Sequence, residues 1–124
     1  MATSATLPLA RITSQMVKNT AVGASADNHL TGSNATIYML DITNNHGSAK
    51  GYFKIFDSAN PTVGTTSPEI IIPIAGAQRQ IVTIAEGITS TTGISWAFVN
   101  AAGTAGTGAI TGGALAIVVV KAGA

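Results

Sequence analysis

The side chains that could do chemistry are few. Two histidines, His29 and His46, and five carboxylates, Asp27, Asp41, Asp57, Glu69 and Glu86, are spread over 124 residues that contain no cysteine. Without cysteine there is no thiolate nucleophile, disulfide or cysteine metal ligand, which fits assembly in a reducing cytoplasm. Asp27 and His29 stand at alternate positions, so on a strand both would point to one face. A metal centre would need a third and fourth ligand and a supporting shell, and polar loop residues account for the pair more simply. A Ser-His-Asp arrangement can be composed on paper from the many serines, but such triads are recognised by geometry, and no nucleophile-elbow signature stands behind one. Paired carboxylates for glycoside hydrolysis are available only in the sense that five acids exist. A hydrolase would require two or more of His29, His46, Asp41 and Glu86 to converge in one pocket. The expectation is a protein that is not an enzyme, with no catalytic, cofactor-binding or metal-ligating residues.

The glycine-rich stretch GTAGTGAITGGA, residues 103–114, invites comparison with a phosphate loop, because closely spaced glycines let backbone amides approach an anion. A phosphate loop ends in Gly-Lys-Ser or Gly-Lys-Thr and opens a helix. This chain instead enters the strand-like run LAIVVV and has no lysine until Lys121. A hairpin loop, flexible or ordered by a partner, is the expectation. Trp96 alternates with Phe98 in ISWAFVN, and such an aromatic pair usually faces a core; an exposed Trp96 would instead suggest a platform for a sugar. Asn34-Ala35-Thr36 matches a glycosylation sequon, read here as a chance match in a threonine-rich chain.

Composition narrows the classes further. The length fits one domain with a genuine core. Only 9% of residues are charged and 46% are hydrophobic, against a charged fraction of about 25% in ordinary globular domains. Much of the surface polarity must therefore come from Ser, Thr, Asn and Gly, and a surface of that kind is easily buried against a partner. The net charge is +1, and Arg11, Lys18, Lys50, Lys54, Arg79 and Lys121 are scattered, which gives nucleic-acid binding little support. The apolar run 114–120 is far short of the ~20 residues that cross a bilayer, so no membrane partner is expected despite a mean hydropathy of +0.40. Pro8 and Arg11 interrupt the only signal-peptide candidate.

Strand signals dominate the organisation. Residues 35–43 (ATIYMLDIT) and 51–56 (GYFKIF) are rich in β-branched and aromatic residues, and NNHGSAK between them predicts a hairpin with a slightly long loop. Residues 69–74, 78–84, 94–100 and 114–121 are each short and bounded by Gly, Pro, Ser or Thr, with AGAQ as a turn and a seventh strand around 15–21. About six or seven strands at this spacing predict an all-β fold, a single antiparallel β-sandwich of jelly-roll type. Pro73 cannot donate to a ladder, so its strand belongs at an edge or at a bulge. Phe53, Ile55, Ile71, Trp96, Phe98 and Val118 are the core candidates on alternation. Residues 1–14 have little pattern and are read as an extended N-terminal arm that orders on a neighbour, leaving 15–124 as the sandwich domain.

With the strands placed, a family likeness emerges. GYFKIFDSANPTVGTTSPEIIIPIAGAQ, followed by GISWAFVNAAGTAGTG and a last apolar strand, resembles small all-β structural proteins of tailed-bacteriophage virions. In that group a Tyr-x-Lys-x-Phe/Tyr-Asp strand leads into Pro-Thr-Val-Gly-Thr, then Pro, then an apolar strand ending near Pro-x-Ala-Gly. Here these are Tyr52, Lys54, Phe56 and Asp57, then residues 61–65, Pro68, and residues 70–76. The arm is not covered. Capsid decoration, or cement, is a prominent role in the group, and the resemblance implies a protein made in the host cytoplasm that binds the outer surface of the assembled head. Its implied partners are the major capsid protein and further copies of itself, as a homotrimer. Docking is then assigned to Leu7, Leu9, Arg11 and Ile12 of the arm and to the connection containing Asn60, Pro61, Thr62, Val63, Thr65 and Pro68. The alternative is a tail, neck or fibre-associated virion protein with a receptor- or glycan-binding role, since one sandwich serves many positions in a particle.

Overall fold

The computed structural model describes residues 14–31 and 35–122, which form eight strands and no helix. They are β1 (Ser14–Val22), β2 (Asp27–Thr31), β3 (Ala35–Asn44), β4 (Gly51–Phe56), β5 (Ile70–Ile74), β6 (Arg79–Ser90), β7 (Gly93–Val99) and β8 (Ala114–Ala122). All pairings are antiparallel. They build two four-stranded sheets, one in the order β1-β8-β3-β6 and the other in the order β2-β7-β4-β5. Every connection except β4 to β5 therefore passes from one sheet to the other.

The two sheets share one hydrophobic cluster. Ile37, Leu40, Ile42, Ala116, Val118 and Val120 come to it from the first sheet, and Phe53, Ile55, Ile74, Ile94, Trp96 and Phe98 from the second. Period-two alternation puts these side chains on the inner faces. A bulge between Ile37 and Met39 resets the alternation of β3, so that Ile37 and Leu40, three apart, both point inward. The rings of Phe53 and Trp96 lie 6.3 Å apart across the β4–β7 pair.

Several expectations need correction. β2 was not expected as a strand: Asp27-Asn28-His29 carries no apolar alternation, and the strand is recognisable only through its ladder with β7. β3 and β4 are not a hairpin, because they lie in different sheets. The Asn44 side chain holds that connection by donating to the carbonyls of Ala49, at 2.8 Å, and Ile74, at 3.1 Å. β7 and β8 are likewise in different sheets, so residues 100–113 are not a hairpin loop either. Ile71 is 39% exposed; it sits opposite Lys54, whereas Ile72 sits opposite Phe53 and takes the inward position. The other five core candidates are buried. Pro73 does lie on an edge strand, β5. Residues 1–13 of the expected arm lie outside the described residues, and Ser14 is already the first residue of β1.

The turn AGAQ joins β5 to β6, closed by the Gln78 N–H to the Ala75 carbonyl at 3.1 Å. Its glycine is not where left-handed backbone is needed: Ala77 has φ of 60°. A β-carbon on Gly76 would stand 2.3 Å from the Ser48 carbonyl carbon, so Gly76 is required for contact with the β3–β4 connection, and Ala77 bears the strain that αL imposes on a residue with a β-carbon. Ala77→Gly is expected to stabilise the fold by up to about 1 kcal/mol, and Gly76→Ala to destabilise it. Urea unfolding midpoints of the two variants against the parent check both.

Candidate docking surface

The docking residues expected at 60–68 lie in the β4–β5 connection, residues 57–69, an ordered loop built from local turns. Pro61 leads into it, the N–H groups of Thr65 and Thr66 both donate to the Thr62 carbonyl, at 3.0 and 2.9 Å, and the Thr66 hydroxyl accepts from the Thr62 N–H at 3.0 Å. At its far end the Glu69 N–H donates to the Ile55 carbonyl at 2.8 Å. Asn60, Thr62, Thr65 and Ser67 are exposed, while Pro61, Val63, Thr66 and Pro68 are half-buried. The other assigned residues, Leu7, Leu9, Arg11 and Ile12, lie outside the described residues.

Beneath the loop is the outer face of the second sheet, which is closed to solvent over β4 and β7 and open at Ile71 and Pro73 on the edge strand β5. Lys54 and Phe56 on β4 alternate with the inward Phe53 and Ile55, and Ser95, Ala97 and Val99 on β7 alternate with the inward Trp96 and Phe98. All five outward residues are buried, yet none belongs to the shared core. Two connections close over them. The Ser95 hydroxyl donates to the Ser58 carbonyl at 2.9 Å. The Lys54 ammonium donates to the carbonyls of Gly103, at 2.6 Å, and Gly106, at 3.2 Å.

Lys54 is 1% exposed, and burial lowers its pKa. The glycine-rich loop thus presents carbonyls to a cation, the opposite polarity to a phosphate loop, whose amides face an anion. Its own bonds hold it in place: the Gly106 N–H to the Gly103 carbonyl at 2.9 Å, and the Asn100 N–H to the Gly108 carbonyl at 3.0 Å. Gly64, at φ of 100°, brings the two connections together, since a β-carbon there would lie 2.6 Å from Cγ2 of Thr107. Residues 57–69 and 100–113 therefore form one continuous surface pinned from below by Lys54.

Asp57 anchors the first connection at its start. Its carboxylate accepts the Thr91 N–H at 3.1 Å, the Thr92 N–H at 2.8 Å and the Thr91 hydroxyl at 3.3 Å. Burial pushes its pKa up, but the bonds from Thr92, Thr91 and Gly93 outweigh this and leave it below the ordinary value.

The groups singled out for hydrolysis do not converge. Asp41 and Glu86 lie on β3 and β6 of the first sheet, and His29 lies on β2 of the second. Asp41 is engaged by Arg79 through two bonds, Nε to Oδ1 at 2.8 Å and Nη2 to Oδ2 at 2.7 Å, and the hydrogen bonding holds its carboxyl below the usual range. His46 Nδ1 accepts the N–H groups of Ser48 and Ala49, at 3.0 and 2.9 Å, within its own connection. Among the described residues no three of His, Cys, Asp and Glu gather as metal ligands would. Trp96 is 1% exposed and offers no sugar platform.

Sequence reasoning missed Lys54, Asp57, Gly103 and Gly106 as the residues that shape this surface. The available signal was Lys54 between Tyr52 and Phe56: two aromatics beside a lysine on one strand face suggest a covered face.

Lys54→Met is expected to strip the ammonium from both loop carbonyls, leaving Gly103 with the Gly106 N–H alone and Gly106 without this donor, which costs about 1–3 kcal/mol and raises hydrogen exchange across residues 101–109 while the β3 amides stay protected. For Asp57 the folded pKa lies below the unfolded value of ~3.9, so its contribution is complete above that value and lost as pH falls through the folded one. Asp57→Asn is expected to lower stability by about 1 kcal/mol at neutral pH and to flatten the loss of stability below pH ~4, as read from urea unfolding repeated across acidic pH.

Comparison with protein-family models, with curated proteins and with solved structures returned no match for this chain.

Proposed function

We propose that the chain is a non-enzymatic structural protein of a tailed-phage virion, a decoration protein that binds the outer surface of the assembled head and stabilises it. We also propose that the fold is a jelly-roll sandwich. The strand orders β1-β8-β3-β6 and β2-β7-β4-β5 support the fold, as they match two four-stranded sheets linked in Greek-key fashion, an architecture that viral capsid domains and lectins use.

The observation that carries the functional reading is the surface formed by residues 57–69 and 100–113 over Lys54. It contains two charged side chains, Asp57 and Glu69, and Asp57 is turned inward to Thr91 and Thr92. Thr62, Thr65 and Asn60 lie exposed on a backbone already fixed by turns. A preorganised, nearly uncharged surface loses little conformational entropy on docking and has few charges to desolvate. Repeated over a symmetric shell, such contacts would hold neighbouring capsid subunits together by multivalency even where each is weak. The major capsid protein is the proposed partner, and the virion exterior the proposed location.

The test uses purified full-length protein and emptied, expanded heads of the tailed phage that carries it, with electron cryomicroscopy of the product. Saturable density at one symmetric position on the shell is expected, with residues 60–68 facing the capsid protein and binding weakened about tenfold or more by Thr62→Glu together with Thr65→Glu. Density on tails or fibres alone would overturn the decoration reading.

A further inference from the structure

The sheet edges of this protein are defended unequally. An exposed edge strand is a template for another strand, and proteins blunt edges by shortness, proline, charge or cover. β5 has five residues and carries Pro73; β2 has five residues; β1 carries Lys18. β6 lacks shortness, proline and charge along Gln80–Ala85: it is twelve residues long, the run QIVTIA is free of charge and proline, and its one irregularity is the bulge that begins beyond Thr83. It stands last in its sheet, and no described strand pairs with its outer side. Ile81, on the outward face, is 53% exposed.

The free backbone groups can be assigned from the ladder. The Asn44 N–H donates to the Gln78 carbonyl at 2.9 Å, and opposite residues of an antiparallel pair alternate between bonded and non-bonded. Gln80, opposite Ile42, and Val82, opposite Leu40, thus turn their N–H and C=O toward β3. Arg79, Ile81 and Thr83, opposite Thr43, Asp41 and Met39, turn theirs outward. Beyond Thr83 the register with β3 jumps from Met39 to Ile37, so residues 84–87 have no partner on β3.

We infer that β6 pairs antiparallel with β6 of a second copy of this chain, about a two-fold axis through Thr83, joining the two first sheets into one eight-stranded sheet. The strand is complementary to itself in this register. Thr83 faces Thr83 of the second copy as a bonded pair, Ile81 faces Ala85, Val82 faces Ile84, and Gln80 faces Glu86. The strand ends carry opposite charges, Arg79, which also holds Asp41, at one and Glu86 at the other, and this pairing sets Glu86 of each copy opposite Gln80 of its mate, next along the strand to Arg79. Centring on Ile81 would shorten the ladder to Arg79–Thr83, and centring on Ala85 would set the charged Glu86 of each copy opposite the apolar Ile84 of its mate. A two-fold contact of one patch with itself is the commonest form of self-association. It yields a pair in place of the trimer that the family resemblance implies, and it does not depend on the decoration reading, since the test uses the free protein.

The chain has no cysteine, so single-cysteine variants report the register directly. Sedimentation equilibrium of the full chain is expected to give a concentration-dependent mass twice that of the monomer. Thr83→Cys is expected to form a disulfide-linked dimer on mild oxidation, because a facing bonded pair has its Cα atoms ~5.5 Å apart, within disulfide reach. Ile81→Cys is expected not to cross-link, its mate lying four residues away along the strands. Thr83→Lys sets two ammonium groups against each other and is expected to weaken association about tenfold or more, with an unchanged circular dichroism spectrum because the bonds to β3 are not touched. A monomer or trimer at all concentrations, or cross-linking through Ile81→Cys as readily as through Thr83→Cys, would overturn the inference.

Discussion

Lys54 sets the terms for one whole side of the molecule, because an ammonium buried in a protein must be surrounded by oxygen acceptors or lose its charge. Among the described residues no carboxylate pairs with it. The acceptors are main-chain carbonyls of Gly103 and Gly106, and a backbone can approach that closely only where side chains are small. The glycine-rich composition of residues 103–113, the burial of Lys54 itself, and the close approach of Gly64 to Thr107 are therefore parts of one arrangement. The lysine converts a long, low-complexity connection into a fixed cover, and so decides which outer face of the protein is closed.

The first sheet has no such cover among the described residues. Its outer face carries Met16, 68% exposed, and Ile81, with Leu115, Ile117 and Val119 half-buried between them. The charged residues of that sheet are Lys18, Lys121, Glu86 and the Asp41–Arg79 pair. The two faces thus differ in kind: one is covered over β4 and β7 by loops whose backbone is fixed by turns, the other a pleated face with its apolar residues open. A chain with this little charge has few means of keeping its own surfaces apart.

Much of the fold was legible in the residues. β3, β4, β7 and β8 are dense in β-branched and aromatic residues, and their bounds fall within a residue or two of the expectation. β2 was not legible, since DNHLT has no period, and its place is set by pairing with β7, some sixty residues away. In IIIPI every position is apolar, so periodicity could not choose between Ile71 and its neighbours; the choice is made by the register with Phe53. The two false hairpins share a cause. Loop composition indicates that the chain turns, but not whether the next strand joins the same sheet or the opposite one. The β4–β5 connection was legible as a low-charge loop, whereas the anchoring of its neighbour, residues 100–113, was not, because Lys54 and Gly103 are separated by 49 residues and nothing local links them.

Edge behaviour follows from the same topology. Passing between sheets at nearly every connection places β1 and β6 at the edges of one sheet and β2 and β5 at the edges of the other. Each sheet then has two open sides, which a closed barrel would lack. Proline and shortness are sufficient for β5 because five residues offer few outward amides. β6 cannot be shortened in the same way. Its first half pairs with β3 over Arg79–Thr83, and its last residues, Ile88–Ser90, must return to pair with Ala35–Ile37, across the bulge that lets Ile37 and Leu40 both enter the core. Gly87, at φ of 78°, accommodates that detour. The length of β6 is therefore imposed by the packing of β3, and the open edge is a consequence of how the core is filled.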